Sequence, residues 1–368
     1  MRVAILADPI DNQKAGIHHY TRELVSNLGK LKTDVEYFAI TENKHQFIGN
    51  IQNICVINRK MPGYKAFRMF VLIPLLIRKL NVDIVVEPAH FGPFNLPRRV
   101  KRVTVIHDLT PILFPQYHLF HSSLLQRMFL GRILSKASLI IANSKYTVKD
   151  ILKVYPNSKG KVSHIYLGKD EIFKPQINVK KVLDKYEIPH KYFLFVGTIE
   201  PRKNILALLK AFTILKDKSK AEYISLIIIG QKGWKCEDIF QSIDNHQYKN
   251  DIILPGYVDR DDLPAIYSGA IACVQPSYYE GFGMTVVEAL SCGTPCIVSD
   301  ISSLPEIGGE AVLLFDPKSP DQLYSQMKLI LDDPQLSDSL KQKALKRSSN
   351  FDWNKHVVEF DKLMKKLL

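Results

Sequence analysis

The sequence predicts an α/β protein of two doubly wound, parallel-sheet domains, and three observations carry that expectation. Short apolar runs alternate with segments of helical character, the pattern of strands joined by crossover helices. The alternation comes in two series, the second restarting at Tyr192. The glycine-bearing and charged motifs follow predicted strands, and open sheets of this kind bind ligands beyond the carboxyl ends of their strands.

The first series places strands at residues 3–7, 83–86, 103–106 and 139–142; the second at 193–196, 224–229, 252–254, 271–275 and 296–299. Between them lies a polar, proline-bearing stretch, Asp170-Glu171-Ile172-Phe173-Lys174-Pro175-Gln176-Ile177-Asn178. This predicts an N-terminal domain over residues 1–171, a linker over 172–190 and a C-terminal domain over 191–351. A length of 368 residues agrees with two cores rather than one.

Composition excludes several classes. With 46% hydrophobic and 24% charged residues the chain is globular. The first eight residues read directly as a strand and carry no signal peptide. The longest apolar stretch, residues 69–77, is nine residues against the ~20 that a spanning helix needs. Five cysteines offer one close pair, Cys292 and Cys296, with no second pair to complete a zinc site, so they are expected to be small buried residues in a reduced, cytoplasmic setting. The net charge of +13 is concentrated in residues 1–185, with 29 Lys+Arg against 13 Asp+Glu; residues 186–368 have 21 against 24. An anionic partner for the first half, nucleic acid or an anionic membrane, is one reading, and a solvated basic surface is the other.

Two strand-to-helix turns in the second half carry chemistry. After residues 271–275, Pro276-Ser277-Tyr278-Tyr279-Glu280-Gly281-Phe282-Gly283 leads into a predicted helix over 284–291, stopped by Gly293-Thr294-Pro295. Glycines at a helix N-terminus suit a diphosphate. Glu280 and Glu288 flank that anion site and would repel it, unless they accept hydrogen bonds from hydroxyls of a sugar and a ribose on either side of it. Spacing alone leaves open two solvated glutamates. After residues 192–196, Gly197-Thr198-Ile199-Glu200-Pro201-Arg202-Lys203-Asn204 is predicted to open another helix. Cations in its first turn would oppose the helix dipole, which suggests a ligand such as a leaving diphosphate; surface cations are the alternative.

These blocks, with Pro255-Gly256-Tyr257-Val258, Ala289-Leu290-Ser291-Cys292-Gly293-Thr294-Pro295 and Leu314-Phe315-Asp316-Pro317, resemble in order and spacing glycosyltransferase family four, of the GT-B fold, over essentially the whole length. The resemblance implies two Rossmann-like domains facing across a cleft and a retaining, metal-independent transfer from a nucleotide sugar. It implies that Thr198, Arg202 and Lys203 serve the donor diphosphate, and Glu280 the transferred sugar. Gly281, Phe282, Gly283, Met284 and Thr285 would bind sugar and phosphates, Glu288 the ribose, and the loop at Tyr257 and Val258 the base. In the N-terminal half, Ala15-Gly16-Ile17-His18-His19-Tyr20-Thr21 resembles the family's first loop but has one glycine, Gly16, where two adjacent ones are commoner. His107 and Asp108, after residues 103–106, resemble turns that face the reacting sugar; a structural histidine is the alternative. Residues 352–368 resemble a last helix that packs back on the first domain.

By the same resemblance the donor is a hexose nucleotide, with GDP-mannose preferred. The acceptor is a saccharide or lipid-linked saccharide of polysaccharide or lipopolysaccharide assembly, at the inner face of the plasma membrane, with no nucleic acid involved. Two features are discounted or left open. Asp259-Arg260-Asp261 looks like a metal-binding Asp-x-Asp but is expected to cap a helix, so no metal or other cofactor is expected. Residues 68–79, basic at both ends and apolar between, read equally as a membrane-surface helix or a core element. The competing functions are a sugar-nucleotide epimerase of the same architecture and a basic nucleic-acid-binding protein. A dinucleotide oxidoreductase lacks its Gly-x-Gly-x-x-Gly after the first strand.

Overall fold

A computed structural model describes the chain except for residues 12–15, 48, 90–91, 94, 118–119, 219–222 and the side chains of residues 120–123 and 125. It contains two compact units, residues 1–112, 121–168 and 352–368 in the first and residues 113–120 and 169–351 in the second.

The first unit is built on β1 (Arg2–Leu6), β2 (Glu36–Thr41), β3 (Ile51–Cys55), β4 (Ile84–Glu87), β5 (Lys101–Ile106), β6 (Leu139–Ala142) and β7 (Val162–His164), all parallel in the order β3-β2-β1-β4-β5-β6-β7. Strands covered on both faces carry short, near-continuous apolar runs, which is why β1, β4, β5 and β6 announce themselves in the sequence. Edge strands do not: β3 includes Gln52 and Asn53, and β7 is Val162-Ser163-His164. In β2, Tyr37-Phe38-Ala39-Ile40 is an apolar run that does signal a strand, additional to the four expected. The C-terminal helix, Trp353–Lys365, belongs to this unit. Its Trp353, Val357, Phe360 and Met364 are buried, and its Asp361 Oδ1 accepts hydrogen bonds from Tyr37 Oη and Thr33 Oγ1, each at 2.9 Å. Gly168 permits the close approach of this helix, since a Cβ there would lie 2.3 Å from Trp353 N.

The second unit holds β8 (Tyr192–Val196), β9 (Ser225–Ile229), β10 (Ile252–Ile253), β11 (Ala272–Gln275), β12 (Cys296–Ser299) and β13 (Val312–Phe315), parallel in the order β10-β9-β8-β11-β12-β13. β13, a half-exposed edge, is the strand added to those expected. Residues 172–190 are not a free linker. Phe173 is buried edge-on against Tyr267, with ring centroids 5.9 Å apart, and Leu183 is buried as well, so apolar residues spaced through a polar stretch fold it onto the unit. Cys292 and Cys296 are buried free thiols.

In each sheet the chain builds outward on one side and then returns to build on the other. The reversal falls between β1 and β4 in the first sheet and between β8 and β11 in the second. At such a switch point the two departing loops diverge and leave a crevice at the strand ends. Among the described residues no helix is long and apolar enough to cross a membrane.

Candidate functional site

The loops leaving β8 and β11 are the two that carry the charged motifs, and they are laced together. Tyr278 N donates to Arg202 O at 2.9 Å, and Arg202 Nη1 donates to Tyr279 O at 2.6 Å. Asn204 holds the lace from below: in the left-handed conformation at φ 56°, it donates from Nδ2 to Pro276 O and Pro317 O at 3.0 and 2.8 Å. Arg202 and Lys203 therefore lie in a 3-10 turn, Pro201–Lys203, that precedes the helix Ile205–Lys218. The expectation that they occupy the helix's first turn is corrected by Asn204, whose backbone breaks the path between turn and helix.

Glu280 is the centre of this crevice. Its Oε1 accepts from Lys203 Nζ at 2.6 Å, Ser277 Oγ at 2.7 Å and Gln275 Nε2 at 3.0 Å, and its Oε2 accepts from Arg202 Nη1 at 3.0 Å. Burial alone would raise its pKa, but the Lys203 ammonium and Arg202 guanidinium outweigh that and hold the carboxyl well below the usual range. Burial lowers the pKa of Lys203, against the pull of Glu280. Glu200, 1% exposed, accepts from Arg202 Nη2 and has its pKa raised by burial. The two cations and Glu280 thus neutralise one another directly, an association that the motif spacing does not reveal.

The helix Met284–Ser291 has the bounds expected. Gly283 precedes it at φ 102°, a conformation glycine adopts without strain. Val286 N and Val287 N both donate to Gly283 O, at 3.0 and 3.2 Å, which leaves the amides of Met284 and Thr285 outside the helical ladder. Ser303 Oγ lies 2.9 Å from Glu280 O and from Phe282 O and donates to these carbonyls, fixing the turn that contains Gly281. Phe282 is buried edge-on against Phe351.

One helical stretch further on, Glu288 is in a different environment. Tyr267 Oη donates to its Oε2 at 3.0 Å. Burial pushes its pKa up to about 7, opposed by the charge of Arg260 and the Tyr267 hydrogen bond. Arg260 itself is paired with Asp170 at 2.9 Å and lies over the Phe173 ring. Tyr257 is 77% exposed and Val258 is buried, on a turn opened by Gly256 at φ 76°. Thr198 is exposed beside the close crossing of two turns, where a Cβ on Gly230 would lie 1.8 Å from Gly197 O.

Asp259 and Asp262 do not cap a helix with their side chains. Lys185 Nζ donates to Oδ2 of each, at 2.9 and 2.7 Å, and the start of helix Leu263–Gly269 has no side-chain cap.

In the first unit, His107 Nε2 is 2.9 Å from Pro88 O. A carbonyl can only accept, so Nε2 carries the proton. Burial lowers the pKa of the ring, which leaves Nδ1 as an acceptor on a neutral imidazole. Asp108 does not share a proton with it; its Oδ1 accepts from Thr110 N at 2.9 Å and from Thr110 Oγ1, at the start of the helix Thr110–Leu113. Gly16 is the first residue of the helix Gly16–Lys30, and a Cβ there would meet nothing within 4 Å among the described residues. Its neighbour in the motif, Ala15, lies outside the described residues.

Sequence reasoning missed the residues that support the motifs: Glu200, Gln275, Ser277, Tyr267, Arg260 and Asp170. Gln275 gave a signal, a fully buried amide ending an otherwise apolar strand.

Residues 179–347 match a family model described as "Glycosyl transferases group 1", and residues 15–171 one described as "Glycosyltransferase Family 4". The chain is 30% identical over 370 residues to O-antigen chain mannosyltransferase B of Escherichia coli, covering 96% of each. Among solved structures it resembles sucrose-phosphate synthase from Thermosynechococcus elongatus, with a TM-score of 0.77, 20% identity and coverage of 100% and 99% of the two chains. It also resembles Anabaena HepE in complex with UDP-glucose, with a TM-score of 0.74, 16% identity and full coverage of both chains.

Proposed function

The chain belongs to glycosyltransferase family 4, and from that premise we propose that it transfers mannose from GDP-mannose, with retention and without a metal, to a saccharide or lipid-linked saccharide in cell-surface polysaccharide assembly. The observation that carries this reading is the buried pair of Lys203 and Glu280, joined by the half-buried Arg202, beside the N-terminus of Met284–Ser291, at the switch point of the second sheet. The mannosyltransferase similarity over nearly the whole chain supports the sugar and the pathway. The UDP-glucose bound by HepE supports a nucleotide sugar.

Breaking the bond from sugar to phosphate makes the ring positive and the diphosphate more negative. Lys203, Arg202 and the amides of Met284 and Thr285 face the second task, where a metal would otherwise serve. Glu280, held ionised, offers Oε2 to sugar hydroxyls and a negative charge to the ring. In a same-face displacement the C1–O bond to phosphate breaks as the bond to the acceptor oxygen forms, and a phosphate oxygen takes the acceptor's proton. No protein nucleophile is needed. Glu288 accepts the ribose hydroxyls, the turn at Tyr257 and Val258 holds the base, and Thr198 lies beside the phosphates. In the first unit, Gly16 leaves room for ligand, and His107 offers neutral Nδ1 as a hydrogen-bond acceptor. Asp108, engaged with Thr110, keeps the His107 turn in place. The basic first half brings the protein to an anionic membrane on the cytoplasmic side.

The test is a thermal-shift panel of nucleotide sugars, followed by transfer from labelled GDP-mannose with and without EDTA and assignment of the product anomer. A shift with GDP-mannose, EDTA-insensitive turnover and a retained anomer are expected. An inverted product, or free sugar released without an acceptor as an epimerase would give, refutes the reading.

A further inference from the structure

The segment at residues 64–79 of the first unit carries apolar side chains on two faces, one fully buried and the other partly exposed. It runs as Tyr64–Phe67, a π-turn over Arg68–Leu72 and then Ile73–Lys79. Pro74 accounts for the π-turn, since it has no N–H and its ring crowds the preceding turn. Phe70 O, which residue 74 would bond in an uninterrupted helix, accepts instead from Asn95 Nδ2 at 2.6 Å. On the inner face Ile73 and Ile77 are fully buried with Phe38 and Val85. Arg68 also points inward, 1% exposed, with its guanidinium bidentate on Asp8 at 2.6 and 2.7 Å. The segment is therefore fixed in place.

On the outer face Phe67, Phe70, Val71 and Leu75 are 48, 39, 39 and 53% exposed. Phe67, Val71 and Leu75 follow one another at four-residue steps, with Phe70 one turn from Phe67, so they form a single stripe. A lone exposed leucine needs no explanation, but a row containing two phenylalanines does.

Charge decides what covers it. Residues 43–82 contain seven Lys and Arg and no Asp or Glu. Apart from the internal Arg68, five of these frame the stripe or its approach and are exposed: Arg59, Lys60, Lys65, Arg78 and Lys79. A second copy docking through the same face would bring these cations against their own kind. An anionic bilayer offers both complements, acyl chains for the stripe and headgroups for its frame.

We propose that the stripe of Phe67, Phe70, Val71 and Leu75, framed by Lys60, Lys65, Arg78 and Lys79, docks the protein on an anionic phospholipid surface with the helix lying in the headgroup plane. This rests on the reading of a transferase with a membrane-borne acceptor and gives its membrane contact a definite place.

The test is sedimentation of the full chain with phosphatidylglycerol–phosphatidylcholine vesicles and with phosphatidylcholine alone, at about 0.1 M salt. Wild type should pellet with the mixed vesicles and weakly with the neutral ones. Phe67→Ser/Leu75→Ser should lower the partition coefficient about 10-fold or more. Replacing Lys60, Lys65, Arg78 and Lys79 by Gln should cost about 5-fold per residue on the anionic vesicles. Partition equal to wild type in both variants, or equal on both vesicle types, overturns the proposal. So does a dimer that Phe67→Ser/Leu75→Ser makes monomeric while no vesicle binding is seen. Nucleotide-sugar thermal shift, measured on the same samples, separates the two readings: vesicle failure with an intact nucleotide response removes the docking face alone, and loss of the nucleotide response in wild type removes the transferase.

Discussion

Lys203→Met separates the two jobs assigned to the buried ion pair. Lys203 and Glu280 are each 8% exposed and 2.6 Å apart, so removing the ammonium leaves a carboxylate in a desolvated crevice with Arg202 as its remaining cation. Removing one partner of a buried pair costs about 3–5 kcal/mol, and with Arg202 still in contact the low end, about 3 kcal/mol, applies. For a unit of this size that corresponds to a fall in Tm of roughly 6–12 °C. Transfer should fall about 100-fold or more, because a donor aimed at developing charge is lost. Lys203→Met/Glu280→Gln removes the stranded charge, so it should recover more than about 1 kcal/mol of stability while remaining inactive. Calorimetry on the single and double variants, with initial rates from labelled donor, reads both quantities. Additive losses of stability across the cycle, or near-normal turnover in Lys203→Met, would refute the coupling. A substitution at Lys203 is therefore not silent for the fold, contrary to what a surface cation would predict.

The remaining predictions concern the ribose end and the glycines. Glu288 has an ordinary pKa of 4.5 and a folded value of about 7, so between those pH values the unfolded chain has lost the proton that the folded one keeps, and stability falls as pH rises through that window. Ribose hydroxyls need the ionised carboxylate, so calorimetric affinity for GDP should rise from pH 6 to pH 8, and Glu288→Gln should flatten the protein's part of that rise. Tyr267→Phe deletes the hydrogen bond that lowers the Glu288 pKa; GDP affinity at pH 7 should drop several-fold and recover in part at pH 8. Gly230→Ala would put a Cβ 1.8 Å from Gly197 O and should lower Tm sharply, whereas Gly16→Ala meets no atom of the described residues within 4 Å and should leave Tm unchanged or raised while lowering transfer.

What the sequence made legible follows from burial. The strands of the second sheet that are covered on both faces, and the helix Met284–Ser291 with its glycine start and glycine stop, are written in contiguous residues. The edges β3 and β7 are not, because an edge strand has water on one side and needs no apolar run. The site was legible as motifs but not as contacts. Arg202 and Lys203 meet Glu280 across more than 70 residues of sequence, and local spacing cannot show that their charges are used on one another before any ligand arrives. The same limit applies to Asp108, whose neighbour in sequence is a histidine but whose partner in space is Thr110.

Glu280 and Glu288 show how far environment outruns identity. Both follow the same strand end, with seven residues between them, and sequence alone treats them as equivalent. One is placed where two cations and a serine hydroxyl converge, so it stays ionised at any physiological pH; the other meets a tyrosine hydroxyl and a more distant arginine, so burial prevails. Environments that drive two carboxyls in opposite directions divide the work between them. The always-ionised Glu280 suits a ring that becomes positive during the reaction. On the proposed reading Glu288, poised near neutrality, would gain the hydrogen-bond donors that favour its charge only when ribose arrives, so nucleotide binding would draw a proton off it, and the pH dependence of donor affinity would report which of the two carboxyls the nucleotide touches.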